Sequence, residues 1–213
     1  MMRFLIAAVL VLGCSLCLAE DFPKNLAEIK SLTAEQAAEL AAKYKGGWLS
    51  LNGLTSIDKD VAQELAKFKG GLLILGGLAS IDKDVAQELA KAGSLSLGLT
   101  SIDKDVAKEL VNTISLALPD LTSIDKDVAQ ELAKIRGGLG LDGLTSIDKD
   151  VAQELGKFEG ANLSLEGLTS IDKDVAKALG KLKGKTLYIS SEALQTYKEV
   201  NGESLSRQSG GMF

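Results

Sequence analysis

Histidine is absent from all 213 residues. Ser-His-Asp and Cys-His nucleophile systems are thereby excluded, and a zinc site loses its commonest ligand. Only two cysteines occur, Cys14 and Cys17, both inside the N-terminal leader described below, so no disulfide framework is expected in the folded part. Aromatic residues make up 4% of the chain, which leaves few stacking platforms and few large interface anchors. With 24 basic and 29 acidic residues the chain is mildly acidic. No block of Lys or Arg stands apart from neighbouring carboxylates, which argues against nucleic acid or an anionic membrane surface as the main partner.

What is present is repetition. Ser-Ile-Asp-Lys-Asp-Val-Ala occurs six times, beginning at Ser56, Ser80, Ser101, Ser123, Ser146 and Ser170, in steps of 24, 21, 22, 23 and 24 residues. Such a period belongs to a solenoid unit, so the chain reads as an array and not as a single compact core. A composition 46% hydrophobic and 25% charged is enough to bury a substantial core.

Residues 1–19 stand outside the array. Arg3 is followed by the apolar run Phe4 to Gly13 and then by Cys17-Leu18-Ala19 ahead of Glu20-Asp21, the order of a secretory signal peptide. The run is about ten residues, short of the roughly 20 needed to span a bilayer. Cleavage after Ala19 would remove both cysteines. Val11-Leu12-Gly13-Cys14 also resembles a bacterial lipobox, in which Cys14 would be lipidated and become the mature N-terminus. Both readings predict an exported protein, in the periplasm, on the cell surface or outside the cell, and a membrane partner is expected only if Cys14 is lipidated.

Within one unit the pattern changes period. Leu49-Ser50-Leu51 alternates with period two, as in a short strand buried on one face, and Gly53 permits a turn. Leu54 and Ile57 follow at three-residue spacing. Asp58 then precedes a helical pattern in which Val61, Ala62, Leu65, Ala66 and Phe68 share one face, while Lys59, Asp60, Gln63, Glu64 and Lys67 form the wet face. Gly70-Gly71 is expected to reverse the chain in the left-handed conformation. Equivalent strands are predicted at Leu73-Ile74-Leu75, Leu95-Ser96-Leu97, Leu116-Ala117-Leu118, Leu139-Gly140-Leu141, Leu163-Ser164-Leu165 and Leu187-Tyr188-Ile189. Because every strand is followed by a helix and then by a copy of itself, the sheet must be parallel, roughly 30 Å long at about 4.8 Å per rung.

The repeated Asp-Lys-Asp invites a calcium reading. Calcium wants more carboxylates and carbonyls converging from a defined loop than these pairs offer. Helix chemistry accounts for them better: Asp58 caps the helix, Asp60 meets the positive end of its dipole, and Ile57 staples onto Ala62. No cofactor and no catalytic residues are expected, because carboxylates repeated at equivalent outer positions make no unique converging pocket.

The fold class is therefore α/β: a right-handed strand-helix solenoid of about seven short parallel strands with helices on the opposite face. Residues 20–47 are expected to cap it through a diverged copy, in which Thr33 and Gln36 form a capping box and the helix, with Trp48 beside it, covers the first rung. Residues 48–190 form the array. Residues 191–201 read as a C-terminal capping helix that shields the last strand, and 202–213 as a mobile tail. Gly98 stands where two residues occur elsewhere and Pro119-Asp120 replaces Asn52-Gly53, so a local kink is expected there.

The spacing Leu49-x-Leu51-x-x-Leu54-x-x-Ile57, followed by a helix, resembles the leucine-rich repeat, over about residues 26–190. The Gly-Leu-Thr-Ser-Ile turn with an Ala-rich helix is similar to exported bacterial leucine-rich-repeat-like proteins. The chain departs from that pattern where the family's Asn or Cys bonds the turn backbone, for here stand Leu54, Leu78, Leu99, Leu121, Leu144 and Leu168. The resemblance implies binding of a protein or glycan on the strand side. Variation between units concentrates there, at Ser50, Asn52, Ile74, Gly76, Ser96, Ala117, Pro119, Gly140, Asp142, Ser164, Glu166 and Tyr188. These form the candidate binding ribbon, set against a second reading as a structural spacer of the cell envelope with no specific ligand.

Overall fold

The computed structural model describes residues 26–44, 47–182 and 184–202. The leader at 1–19 with Cys14, and the tail from 203 to 213, lie outside the described residues. A 3-10 turn at Leu26–Glu28 opens the described chain, followed by α1 (Ala34–Lys43). Strand and helix then alternate: β1 (Trp48–Ser50), α2 (Lys59–Leu65), β2 (Leu72–Leu75), α3 (Lys83–Leu89), β3 (Ser94–Leu97), α4 (Lys104–Leu110), β4 (Ser115–Ala117) and α5 (Lys126–Leu132). The series ends with β5 (Gly138–Gly140), α6 (Lys149–Leu155), β6 (Asn162–Leu165), α7 (Lys173–Leu179), β7 (Thr186–Ile189) and α8 (Ser191–Asn201). All seven described strands form one parallel sheet in sequential order. This is the expected repeated strand-helix fold.

Each helix starts where its capping residue stands. Asp58, Asp82, Asp103, Asp125, Asp148 and Asp172 all have extended backbone and accept a hydrogen bond from the N–H of the Val three residues on, at 2.7–2.8 Å. In α1 the reciprocal capping box of Thr33 and Gln36 is present. The buried face follows the period: Val61, Ala62 and Leu65 in α2 repeat as Val85, Ala86 and Leu89 in α3, and so on to α7. Opposite them lie the inner strand leucines and the turn leucines, Leu49, Leu51 and Leu54 in the first rung, all fully buried. Neighbouring rungs therefore share one continuous core, as a stacked array requires.

Five of the six turn leucines, all but Leu99, close the turn with their own backbone: the Leu54 N–H donates to Leu51 O at 3.1 Å, and Leu144 N–H to Leu141 O at 3.1 Å. Rung-to-rung polar links move two residues earlier. Asn52 Oδ1 accepts from the Gly76 N–H at 2.9 Å, and Asp142 Oδ1 from the Glu166 N–H at 3.0 Å.

The glycines correct one expectation. Among the described residues only Gly93, Gly184 and Gly202 have positive φ, so Gly70 and Gly71 do not reverse the chain in the left-handed region. Gly71 is required by proximity instead, since a Cβ there would lie 2.9 Å from Gly47 O. The second turn position is tighter still: a Cβ on Gly77 would meet Asn52 O and Leu54 O, both at 2.4 Å.

The irregular third turn is absorbed without interrupting the sheet. Asp120 occupies the second turn position, where Gly stands in other rungs. It fits because the turn beneath it, with the single residue Gly98, is one residue short; a Cβ on Gly98 would lie 3.1 Å from Asp120 Oδ2. The shortest pairing falls one rung later, where β4 and β5 share only Leu116↔Leu139 and Ala117↔Gly140, and Ser115 Oγ accepts from the Gly138 N–H at 3.0 Å.

At the C-terminal end α8 extends the helix layer and packs on α7, with Asn201 Nδ2 donating to Ala176 O at 2.7 Å. Burial pushes the Tyr197 phenol in this contact above its ordinary pKa. Among the described residues the sheet ends at β7. One prediction arises from the caps: Asp82→Ala should cost about 1 kcal/mol in urea denaturation, whereas Asp84→Ala, an exposed first-turn residue, should cost about half that or less.

Candidate strand-face binding site

The register places the seven predicted outward residues in one row: Ser50, Ile74, Ser96, Ala117, Gly140, Ser164 and Tyr188 stand side by side across the sheet. Their exposure is uneven. Ser50, Ile74, Ser96 and Tyr188 are half-buried, but Ala117, Gly140 and Ser164 are buried, so the middle of the ribbon is not the open surface that alternation alone implied. Side chains this small, on rungs about 4.8 Å apart, are shielded by their neighbours. Ser164 also donates its hydroxyl hydrogen to Asp142 across the rung.

On the turns beside this row, Asn52 and Glu166 are exposed and Asp142 is half-buried. The acceptor oxygens of Asn52 and Asp142 are already engaged in the rung-to-rung links described above. Pro119 is exposed, and Gly76 contributes only backbone. Three of the ribbon's polar side chains, those of Asn52, Asp142 and Ser164, are thus engaged by the scaffold.

A second outward row was missed. Trp48 pairs with Leu72, one residue before the pair Leu49↔Leu73, so both project to the same side as Ser50 and Ile74. Trp48 is 66% exposed and does not cover the first rung, contrary to expectation. Leu72 and Ile74 beside it are half-buried. The parity of Trp48 with Ser50 is the signal that could have found it. From this end the outer face runs through serines, alanine and glycines to Tyr188 on β7.

The helix side carries charge chemistry of a different kind. Lys59 reaches Asp84 of the next unit at 3.9 Å, Lys104 reaches Asp127 at 3.3 Å, and Lys149 reaches Asp174 at 3.0 Å. The Asp174 carboxylate, by hydrogen bond and by charge, holds the Lys149 ammonium above its ordinary pKa. Lys83 takes Glu109 instead, at 3.7 Å. In Asp-Lys-Asp, then, the first Asp caps in all six copies, and in three of them, at Asp84, Asp127 and Asp174, the second Asp receives the Lys of the rung before. Each pair is exposed to solvent, which screens it, so it adds little to stability.

A groove of about 380 Å³ between α1 and the end of α2 is lined by Ala38, Ala41, Ala42, Tyr44, Glu64, Lys67 and Lys69, and Glu64 there is ion-paired to Lys67 at 2.6 Å. Among the described residues no three His, Cys, Asp or Glu side chains are placed to hold a metal ion. No described helix is long and apolar enough to cross a membrane. No family model matches the chain, and no curated protein matches its sequence.

Proposed function

We propose that this chain is a non-enzymatic, exported scaffold of leucine-rich-repeat type that binds a protein through the N-terminal end of its strand face. The observation that carries the reading is Trp48, 66% exposed beside half-buried Leu72 and Ile74 in a chain with one tryptophan. Covering the part of that indole still in water would contribute on the order of 3 kcal/mol. Tryptophan framed by aliphatic side chains is the composition of an interface anchor. A sugar platform would surround the ring with free hydrogen-bonding groups, and here its neighbours on β2, Leu72 and Ile74, are aliphatic, with Ser50 the outward hydroxyl beside it on β1.

A spacer role fits the middle of the face, where Ala117, Gly140 and Ser164 are buried and offer little to recognise. Rungs one and two would then make the contact, while the rungs beyond set its distance from whatever holds the chain.

The test is capture of a partner from the extracellular or envelope fraction by the purified protein. Trp48→Ala with Leu72→Ser and Ile74→Ser should lower capture at least tenfold with the fold intact by circular dichroism. Undiminished capture would sink the reading, and binding confined to a glycan would replace the protein partner by a sugar. Export rests on the leader sequence; mass spectrometry of the native N-terminus should find Glu20 or a lipidated Cys14, and an intact Met1 would refute it.

A further inference from the structure

Two Asn-Gly pairs occur in the chain, Asn52-Gly53 and Asn201-Gly202. A glycine after asparagine has no Cβ to obstruct attack by its backbone nitrogen on the asparagine side-chain carbonyl carbon. The fold treats the two pairs in opposite ways.

We propose that Asn52 is a site of spontaneous deamidation, with water and hydroxide from solvent as the only co-reactants, and that Asn201 is protected. Hydroxide removes the proton from Gly53 N, the nitrogen bonds to Asn52 Cγ, and the Cγ–Nδ2 bond breaks. The leaving nitrogen takes a proton from water and departs as ammonia, which returns the hydroxide and leaves a succinimide. Water then opens the ring at either carbonyl, giving aspartate or isoaspartate.

Three features favour the reaction at Asn52. The side chain is exposed, and among the described residues its Nδ2 donates to no acceptor, so the leaving nitrogen is open to water. Its Oδ1 accepts from the Gly76 N–H at 2.9 Å, and that donor stabilises the negative charge the oxygen gains as Gly53 N adds. Among the described residues the Gly53 N–H has no acceptor, so it gives up no hydrogen bond when it turns to the side chain. Gly53 is buried, and base reaches it through local opening of a turn whose closing bond, from Leu54 N–H to Leu51 O, is 3.1 Å long.

Asn201 has the reverse setting. Its Nδ2 donates to Ala176 O at 2.7 Å and to Tyr197 O at 3.3 Å, so the group that must leave is held. The attacking nitrogen is held as well, with the Gly202 N–H bonded to Lys198 O at 2.9 Å. Its Oδ1 is packed against Gly180, where a Cβ would lie 2.1 Å away, and receives no hydrogen bond among the described residues.

The fold already contains the product. Asp142-Gly143 occupies the same turn position in the fifth rung, where Asp142 Oδ1 accepts from the Glu166 N–H at 3.0 Å as Asn52 Oδ1 does from Gly76. Aspartate at position 52 therefore keeps the rung-to-rung link and adds a negative charge to the rung that carries Trp48. Isoaspartate lengthens the backbone by a methylene. The turn has no room for it, since even a Cβ on Gly53 would stand 2.3 Å from Ala27 O and Ile29 O.

The experiment is peptide mapping by mass spectrometry of the full chain during incubation in mildly alkaline buffer, once native and once unfolded in urea. In the native protein Asn52 should convert to the acid at least tenfold faster than Asn201, and in urea the two rates should come together. Equal native rates, or faster conversion of Asn201, would overturn the proposal. A preference for Asn52 that persists unchanged in urea would also overturn it, since the neighbouring sequence and not the fold would then set the rate. In Asn52→Asp the Gly76 amide should keep its hydrogen-exchange rate within about twofold of the parent; acceleration of tenfold or more would refute the claim that aspartate preserves the link.

Discussion

Replacing Gly77 by valine should destabilise the array by more than about 3 kcal/mol, beyond the usual range for an overpacked site. Gly77 has no positive φ, so its backbone conformation is open to valine; the obstacle is space. Its Cβ would stand 2.4 Å from two carbonyl oxygens of the preceding turn, and backbone atoms cannot rotate away as a flexible side chain can. Relief requires rungs one and two to separate. That strains the Leu51 N–H to Ile74 O bond at 2.8 Å and the Asn52 link to Gly76 at 2.9 Å. Gly184→Ala provides the contrast, because no atom lies within 4 Å and only the φ of +75 resists it. That change should cost about 1–2 kcal/mol. Urea denaturation of both variants separates close approach from backbone strain, and a Gly77→Val chain within 1 kcal/mol of the parent would refute the packing argument.

The second large effect is a paired one. Inserting Asn between Leu97 and Gly98 restores the regular two-residue turn to the third rung and should destabilise by about 1–3 kcal/mol. The added backbone returns carbonyl oxygens to the space that the Asp120 side chain uses. Asp120→Gly should recover most of the loss in the inserted chain while giving no gain in the parent. Because the two positions touch, non-additivity of this sign is the expected signature. Strictly additive effects would mean that the short turn and Asp120 are unrelated.

Much of this architecture was legible in the sequence because its determinants are local. An aspartate three residues before valine states where a helix starts, and a period-two triplet followed by a copy of itself states that the strands are parallel. Depth was less legible. Ala117, Gly140 and Ser164 alternate outward as expected, but their burial depends on the residues of adjacent rungs, which no single unit contains. The glycines misled for a related reason: a Gly after a helix suggests left-handed backbone, whereas Gly71 and Gly77 answer to a carbonyl about 24 residues earlier. Trp48 had the right parity to be outward. Its bulk made it look like a cap. The rung-to-rung bonds of Asn52 and Asp142 were hidden because the resemblance directs attention to the leucine positions two residues on.

The repeated motif accounts for the cap and core of every unit and for the ion pairs between several of them, which leaves recognition to residues the repeat does not fix. The most direct measurement compares partner capture by two variants of the mature chain. One carries Trp48→Ala, Leu72→Ser and Ile74→Ser. The other carries Lys59→Ser, Lys104→Ser and Lys149→Ser, which remove three of the four inter-rung ion pairs found among the described residues. The first should lose capture at least tenfold with its fold intact, and the second should keep capture with only a small loss of stability. Loss of capture in the lysine variant, with the Trp48 variant unaffected, would place recognition on the repeated motif and contradict the account.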